Sequence, residues 1–393
     1  MSDLKIFADI IEDAAKEQIG AITKSLAFKD SKIRIMPDVH AGKGCVIGFT
    51  ADIIDKVIPN VVGVDIGCGV MGFNLGNIDI DFKRLDRVIK QQIPSGLAVR
   101  SKEFKSFPFE KLKCFNALQN VDRLKKSLGT LGGGNHYIEV DVDSLGNKYI
   151  VVHSGSRNLG LQVAKYYQEK AKDYCDNEKR KQDKEFIIKF HKATNTEDKI
   201  QESLKRYERE HPPIPSELAY LEGELMEDYL HDMAICQNFA NENRLSILLL
   251  ISAFMGWENT AKPAFNVIHN YIDIESNIVR KGAVSAKENE TVLIPINMRD
   301  GCILARGLGN PDYNYSAPHG AGRLMSRKAA KENIKLEEYK ESMSNVYTST
   351  VDNSTIDEAP MAYKPLDSIL ENIKDTVEII DILKPLYNFK AGE

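Results

Sequence analysis

Short apolar runs rich in β-branched residues alternate with glycine-containing turns along the first 160 residues of the chain. Such runs predict strands, and two more follow after residue 260. The predicted strands are 32–36, 45–50, 61–66, 138–142, 149–153, 265–268 and 291–296. This pattern favours a mixed sheet that presents functional side chains from its loops.

Helical patterns fill the middle of the chain and parts of its C-terminal region. Residues 160–243 are rich in charge with helical periodicity, interrupted at His211-Pro-Pro-Ile-Pro215, and they predict a helical insertion over 161–243. Further helices are predicted from residue 324 through Glu332 and over 366–382. A chain of 393 residues accommodates one large domain or two ordinary ones.

Composition narrows the class of protein. The net charge of −5 rules out an overall attraction to nucleic acid, although a local basic patch would still suffice to bind an RNA end. The longest uncharged run, 245–257, is too short to cross a bilayer, and residues 1–5 lack the apolar segment of a signal peptide. Six widely spaced cysteines favour reduced thiols over a disulfide framework, so we expect a cytoplasmic protein with no membrane partner.

A glycine-rich segment around Cys68 offers two different metal ligands close together. Asp65 supplies a hard oxygen and Cys68 a soft sulfur, and glycines on both sides allow sharp turns. The same segment matches a dinucleotide fingerprint, but residues 73–77 read as a strand and a turn where that fingerprint requires a helix. A buried cysteine that serves only as a small apolar residue is the alternative.

The eight histidines fall into two groups by their surroundings. Three lie in the charged helical region, where a surface role is expected: His191, His211 and His231. The other five lie near glycines or after an apolar strand: His40, His136, His153, His269 and His319. Each of these could be a hydrogen-bonded core residue. Taken together, His136, His153 and His269 complete an Asp/Cys/His₃ set with Asp65 and Cys68, sufficient for two ions sharing a thiolate.

Basic side chains accompany two of these histidines. Arg157 closes the segment His153-Ser-Gly-Ser-Arg157 and could hold a phosphate beside the metal. Small residues leave His319 accessible, and Arg323 and Arg327, four apart on a predicted helix, could face one phosphate. This layout suits a histidine that accepts a phosphoryl group. The alternative is a helix-capping loop whose arginines pair only with carboxylates.

These residues resemble the RtcB family of RNA ligases over nearly the whole chain except the helical insertion. The segments that carry the resemblance occur in the family's order: Pro37-Asp-Val-His40 with Gly42 and Gly44, Val64-Asp-Ile-Gly-Cys-Gly69, residues 128–139, His153-Ser-Gly-Ser-Arg157, His319-Gly-Ala-Gly-Arg-Leu-Met-Ser-Arg327 and Glu358-Ala-Pro-Met-Ala-Tyr-Lys364. The resemblance implies one α+β catalytic domain, 1–393, with layered mixed sheets around a central metal site and helices outside, the helical insertion lying within it.

The resemblance also implies an activity. Family members use GTP and two Mn²⁺ ions to join an RNA 3′-phosphate or 2′,3′-cyclic phosphate to a 5′-hydroxyl. The histidine that matches His319 takes GMP from GTP, GMP then moves to the RNA 3′-phosphate, and the 5′-hydroxyl displaces it. Activation by GMP splits one difficult step into easier ones. Some relatives need an archease as activator, and the sequence leaves open whether this chain does.

Site roles follow from the matched motifs. The implied metal ligands are Asp65, Cys68, His136, His153 and His269. The implied nucleotide contacts are Asn135, Glu139, Tyr363 and Lys390. The implied RNA contacts are Asp38, His40, Arg157, Arg323 and Arg327. Thiolate and imidazole ligands by themselves would favour zinc over manganese, so the choice of manganese is carried by the resemblance alone.

The chain departs from the family pattern near the nucleotide. Many members carry Pro-Gly-Ser-Met-Gly where this chain has Pro295-Ile-Asn-Met-Arg-Asp-Gly301, and Ala-Pro precedes His319 where others have serine. Lys390 is followed by Ala-Gly-Glu393 and lacks the family's valine-rich ending. The pattern is similar to a bacterial subgroup associated with repair of cut RNA. A dinuclear metal phosphoesterase and a non-catalytic protein that binds RNA ends are the competing functions.

Overall fold

A computed structural model describes residues 2–9 and 11–391 of the chain. The strands in this part are β1 (Asp3–Ile6), β2 (Lys32–His40), β3 (Ile47–Asp52), β4 (Lys56–Val57), β5 (Gly69–Gly76), β6 (Tyr137–Val142), β7 (Lys148–Ser154), β8 (Leu221–Glu222), β9 (Lys262–Ile268), β10 (Asn270–Asp273), β11 (Ile278–Lys281), β12 (Ala283–Ser285), β13 (Thr291–Asn297), β14 (Gly301–Gly307), β15 (Ser316–Pro318), β16 (Tyr347–Thr348) and β17 (Val377–Lys390). The α-helices are α1 (Asp13–Ile22), α2 (Pro59–Val62), α3 (Phe82–Gln92), α4 (Val121–Lys125), α5 (Arg157–Asp173), α6 (Arg180–Ala193), α7 (Ile200–Glu210), α8 (Gly223–Met255), α9 (Arg327–Asn333), α10 (Leu336–Ser342) and α11 (Leu366–Asn372).

Two large mixed sheets form the framework. Five strands pair in the order β1-β2-β3-β11-β10, and seven pair in the order β13-β14-β17-β6-β7-β5-β9, with β16 added beside β17. Most neighbours are antiparallel, but β1 with β2 and β16 with β17 are parallel. The predicted α+β class with mixed sheets is therefore confirmed.

The two faces of the larger sheet have different roles. Because side chains alternate along a strand, Ile138 and Val140 of β6 point to one face, where they join a buried cluster with Ile247 and Ile251 of α8. Tyr137 belongs to a second cluster on the opposite face. Residues two apart from Tyr137 on β6 share that opposite face, which borders the cavity described below.

Helices fill the region where a helical insertion was predicted. Residues 157–193 form α5 and α6 joined by a π-helical turn, α7 follows, and α8 runs without a break from residue 223 to 255. The C-terminal part of α8, up to residue 255, contains most of the apolar run 245–257 noted in the sequence. Assignment of 161–243 as an insertion within one domain stays a prediction. No helix among the described residues combines the length and apolar character needed to cross a membrane.

The strand predicted over 61–66 is wrong. Pro59 occupies the first turn of the short helix α2, which suits its fixed φ, and Gly63 ends that helix with φ 91°. Residues 64–68 then form turns, and the strand begins at Gly69. The β-branched residues Val61 and Val62 are buried in the core without belonging to a sheet. Burial, not strand pairing, accounts for their apolar character.

Two predicted helices are also shorter or later than expected. The helix predicted over 366–382 ends at Asn372, and the chain enters β17 at Val377, where β-branched residues pair with β14. The helix predicted from residue 324 begins at Arg327 instead, because the Ser326 side chain accepts a hydrogen bond from the Ala329 amide and caps it. Arg323 therefore lies outside the helix, and the predicted alignment of Arg323 and Arg327 on one helical face is wrong.

Candidate metal centre and adjoining cavity

Four neighbouring strands of the larger sheet carry four of the predicted metal ligands at the same end of the strands. Cys68 immediately precedes β5, His136 precedes β6, and His269 follows β9, while His153 lies near the end of β7. The strand order β6-β7-β5-β9 and its register, in which His153 lies opposite both Tyr137 and Val70, place these positions side by side. The sheet thus gathers ligands that are far apart in sequence.

Cys68 lies at the centre of this group. Its Sγ is 3.4 Å from His136 Nε2 and 3.3 Å from His153 Nε2. Ligand atoms converge within 4.8 Å in two trios, one of Asp65, Cys68 and His136 and one of Cys68, His153 and His269. Because Cys68 belongs to both trios, the geometry fits two ions that share one thiolate.

Backbone carbonyls orient two of the imidazoles toward Cys68. Nδ1 of His136 lies 3.0 Å from the Leu131 carbonyl, and Nδ1 of His153 lies 3.1 Å from the Asn135 carbonyl. A carbonyl oxygen only accepts, so Nδ1 of His153 carries the hydrogen and its Nε2 lone pair faces the sulfur, and the Leu131 carbonyl favours the same tautomer of His136. Metal-binding histidines are held by the same kind of hydrogen bond in known sites. These residues therefore fit a metal ion.

Burial sets the protonation of the ligands. Burial lowers the pKa of His153 and His269 well below the usual range, which keeps both rings neutral as metal ligands must be. Burial and the neighbouring Asp65 carboxylate raise the pKa of the Cys68 thiol well above its ordinary value. A cation that binds here would displace the thiol proton, so binding should release protons to solvent.

Two adjacent residues of α8, absent from the sequence-based predictions, hold the ligand-bearing segments together. The Asn243 amide accepts from the Gly129 and Thr130 backbone amides and donates to the Ser154 hydroxyl. The Arg244 guanidinium is also buried. Its Nη1 donates to the carbonyls of Gly67 at 2.7 Å and Ser154 at 2.9 Å, and its Nη2 donates to the side chain of Asn266 at 3.2 Å. This pair, which we call the α8 polar clamp, links the segments before Cys68, before His136 and after His153.

A sequence signal for the α8 polar clamp exists. Asn243 and Arg244 fall at helical spacing with the buried residues Ala240, Ile247 and Ile251, and all five are fully buried. A polar pair on the apolar stripe of a helix must find buried partners, because an unpaired buried polar group is costly. Reading the helix as a solvated, charge-rich surface concealed this pattern.

Replacing Asn243 by alanine should loosen the metal centre. The change leaves backbone groups of two ligand-bearing segments without partners, so we expect a loss of roughly 3 kcal/mol in the free energy of unfolding and weaker metal retention. Chemical denaturation and metal analysis after dialysis would measure both. Ser252→Ala is the matched control, since the Ser252 hydroxyl is buried on the same helix with no hydrogen-bond partner. Equal metal content and stability in Asn243→Ala and wild type would contradict the assigned role.

His319 lies next to the metal centre, and its ring is held from one side. Its ring centroid is 4.9 Å from that of His269. Nδ1 lies 2.8 Å from Oδ2 of Asp38, which also accepts the His319 backbone amide at 3.2 Å. Asp38 is fully buried. The carboxylate fixes Nδ1 as the donor, so Nε2 retains the lone pair that a nucleophile needs.

A cavity of about 240 Å³ opens beside the metal centre and His319. Its walls bring together most of the predicted site residues: His40, Asn135, Glu139, His153, His269, His319, Arg323, Arg327, Tyr363 and Lys390. The remaining predicted residues lie behind this lining: Asp38, Asp65, Cys68, His136 and Arg157. The metal-ligand trios and the accessible histidine therefore lie around one cavity.

Glu358, which was not predicted as a site residue, organises the basic end of the cavity. Its carboxylate lies 2.6 Å from Lys390 Nζ, accepts a hydrogen bond from the Tyr363 hydroxyl at 2.6 Å, and lies 2.6 Å from Arg327 Nη1. Burial opposes ionisation, but Lys390 and Arg327 lower the pKa of Glu358 to about 2. The sequence did offer a signal for Glu358, because this residue begins the matched motif Glu358-Ala-Pro-Met-Ala-Tyr-Lys364.

The three predicted phosphate-binding arginines do not form one group. Arg323 donates to the Tyr363 hydroxyl at 3.1 Å and to the Asp357 carbonyl at 2.6 Å, and Arg327 pairs with the Asp357 carboxylate at 2.6 Å. Both lie at the basic end of the cavity. Arg157 lies on the metal side instead, with Nη1 3.2 Å from His136 Nδ1, and has a positive φ of 58°. Contacts with a phosphate would require Arg327 to exchange its carboxylate partners.

The arrangement defines a class of site: a buried Asp/Cys/His metal centre beside an accessible, carboxylate-held histidine and a cationic pocket. A family model described as "tRNA-splicing ligase RtcB" matches residues 21–121 and 113–391. The chain is 30% identical to the RNA-splicing ligase RtcB of Escherichia coli K12 over 423 aligned positions, covering 96% of this chain and 94% of that protein. This protein therefore belongs to the RtcB family.

Archaeal relatives extend the similarity. The chain is 25% identical to the tRNA-splicing ligase RtcB of Archaeoglobus fulgidus, with 92% of this chain and 87% of the relative covered. It is 26% identical to the tRNA-splicing ligase RtcB of Pyrobaculum aerophilum, with 86% and 82% covered. The similarity spans nearly the whole length of bacterial and archaeal proteins.

Proposed function

We propose that this protein is an RNA ligase that joins an RNA 3′-phosphate or 2′,3′-cyclic phosphate to a 5′-hydroxyl, using GTP and two Mn²⁺ ions. One observation carries the proposal: Cys68 belongs to both ligand trios, and His269 of the second trio contacts the ring of His319. These contacts support two adjoining cation positions and a nucleophile at one cavity. Family membership supports the same reaction class.

His319 is the proposed covalent catalyst. Nε2 attacks the α-phosphate of GTP, a nitrogen–phosphorus bond forms, and the bond to pyrophosphate breaks. Asp38 holds Nδ1–H at 2.8 Å and stabilises the positive charge that the imidazole gains. GMP then passes to the oxygen of the RNA 3′-phosphate, and the 5′-hydroxyl attacks that phosphorus and displaces GMP. A cyclic end is first opened by water to a 3′-phosphate.

The remaining residues bind ions, nucleotide and RNA in this proposal. Asp65, Cys68, His136, His153 and His269 would hold the two ions, which when bound neutralise phosphate charge and align attacking and departing oxygens. The nucleotide would contact the cavity residues Asn135, Glu139, Tyr363 and Lys390. The RNA phosphates would contact Arg157, Arg323 and Arg327, with Asp38 and His40 nearby.

The proposed setting is the cytoplasm, where RNA with these ends is the partner and thiols stay reduced. An archease-like activator is part of the proposal only if purified protein turns over slowly after a first covalent step. Repair of cut RNA is the proposed physiological role.

Incubation with α-labelled GTP and Mn²⁺ tests the function directly. We expect acid-labile label on the protein and release of pyrophosphate, followed by ligation when RNA carrying a 3′-phosphate and a 5′-hydroxyl is added. Because thiolate and imidazole favour zinc, Zn²⁺ should compete for the site yet support little ligation. Phosphate release without GTP would favour the phosphoesterase, and end binding without turnover would favour the RNA-end binding protein. Either outcome without protein labelling would refute the ligase.

A further inference from the structure

Two buried carboxylates lie together at one wall of the cavity. Glu139 lines the cavity with only 3% of its surface exposed, and Asp141, two residues further along β6, is completely buried. Their oxygens and the sulfur of Cys302 lie within 4.8 Å of one another. Among the described residues, no amide, hydroxyl or cationic group donates a hydrogen bond to either oxygen of Asp141. A buried charged carboxylate in this condition would be strongly destabilising, so its charge must be neutralised.

The groups around the pair supply no cation to Asp141. Tyr137 on the same strand and Cys302 on β14 are neutral at physiological pH, because burial raises the pKa of both. On β17, the Asn388 amide donates to Glu139 Oε2 at 2.6 Å, and the Lys390 ammonium pairs with Glu358 at 2.6 Å. The Asn388 hydrogen bond and the nearby Lys390 charge favour an ionised Glu139, whereas Asp141 has only Glu139 and the weakly donating Cys302 thiol as partners among the described residues.

Two carboxylates in such contact share a proton, and their surroundings decide which one holds it. Asn388 stabilises the charged form of Glu139, and Lys390 adds a favourable field. Asp141 lies deeper and has only uncharged neighbours besides Glu139. Burial raises the pKa of Glu139 to about 7 and the pKa of Asp141 well above its ordinary value, and the Glu139 charge raises the Asp141 pKa further. The proton therefore resides on Asp141.

We propose that Asp141 carries a proton and donates it as a hydrogen bond to Glu139, which keeps Glu139 an oriented, anionic acceptor for the N–H edge of the nucleotide base. This inference rests on the nucleotide site proposed above. Asp141 does not line the cavity, so it is a positioning residue that acts through Glu139. Replacing Asp141 should therefore change nucleotide binding and base selection. It should have little effect on the later chemical steps.

The pH dependence follows from the raised pKa. Glu139 gains its charge as pH rises through its pKa of about 7, so nucleotide binding should strengthen there. Asp141 loses its proton at higher pH, as pH rises through its own raised pKa, which leaves two adjacent negative charges and weakens nucleotide binding. An asparagine at this position donates the same hydrogen bond and cannot titrate. Asp141→Asn should therefore keep neutral-pH labelling within about threefold of wild type and lose the alkaline decline. Asp141→Ala should raise the GTP concentration for half-maximal labelling roughly tenfold, as expected for one lost bond to a charged group.

Labelling with α-labelled GTP across a pH series tests the predicted effect on nucleotide binding. The proteins compared are wild type, Asp141→Asn, Asp141→Ala and Asp79→Asn, which is a control at an exposed site. Infrared difference spectra between wild type and Asp141→Asn test the proton itself: a protonated-carboxyl band should appear in wild type and vanish on alkalinisation. This second measurement needs no activity, so it decides the inference even if wild type takes no label and the ligase proposal fails.

Three outcomes would overturn the inference. The first is loss of labelling in Asp141→Asn as severe as in Asp141→Ala, which would mean that Asp141 acts as an anion. The second is absence of the protonated-carboxyl band. The third is loss of one bound metal equivalent in Asp141→Asn, which would show that Glu139, Asp141 and Cys302 hold a cation instead of a proton.

Discussion

The Cys68→Ala variant is expected to lose most of its bound metal and at least roughly 100-fold of its GMP-transfer activity. Changes to residues that merely support metal ligands already cost 10–100-fold, so roughly 100-fold is a lower bound for a ligand. Cys68 is common to both trios, and its loss leaves Asp65 with His136 on one side and His153 with His269 on the other. Neither remaining pair supplies the thiolate charge that would offset two cations.

Metal analysis after dialysis and titration with Mn²⁺ would measure the loss in Cys68→Ala. Cys236→Ala is the matched control, because Cys236 is equally buried on α8 but belongs to neither trio. The two variants remove similar apolar volume, so a packing effect alone would affect both similarly. Wild-type metal content and labelling in Cys68→Ala would show that the thiolate is not a ligand.

The structure brings the predicted ligand residues together, and each of them lies in a short local pattern of sequence. A glycine-flanked histidine or cysteine at a strand end can be recognised without knowing the fold, as at His136 and Cys68. What the sequence could not supply was the order β6-β7-β5-β9, which results from pairing between residues far apart in the chain. The sequence predicts a shared thiolate, and that order shows how the two trios meet at Cys68.

Other features escaped prediction because tertiary contacts overrode local preference. Val61 and Val62 have strand-forming side chains, yet Pro59 and Gly63 enclose them in a helical turn. The α8 polar clamp was missed because the partners of Asn243 and Arg244 are mainly backbone groups, which have no sequence signature. Glu358 begins a matched motif, but its role was missed because it depends on Lys390 and Arg327, which lie outside that motif.

His319→Ala should take up no detectable label from α-labelled GTP, at least roughly 1,000-fold below wild type, while keeping its metal content. The substitution removes Nε2, the atom that Asp38 leaves free by holding Nδ1 at 2.8 Å, and no metal ligand is changed. Labelling, metal analysis and thermal unfolding of the same preparation would separate loss of the nucleophile from loss of the fold.

His40→Ala is the matched control for His319→Ala. His40 lines the same cavity and contacts the Asp38 carbonyl through Nδ1 at 3.0 Å, so its removal perturbs the same neighbourhood without removing the proposed nucleophile. We expect His40→Ala to be labelled, with weaker RNA joining. Label on His319→Ala equal to that on wild type would place GMP on another residue, and phosphate release that survives without any label would identify a phosphoesterase.

Because the carboxylate of Asp38 fixes which ring nitrogen of His319 is free, Asp38→Asn should slow labelling without abolishing it. This variant thereby separates the orientation of the imidazole from its nucleophilicity.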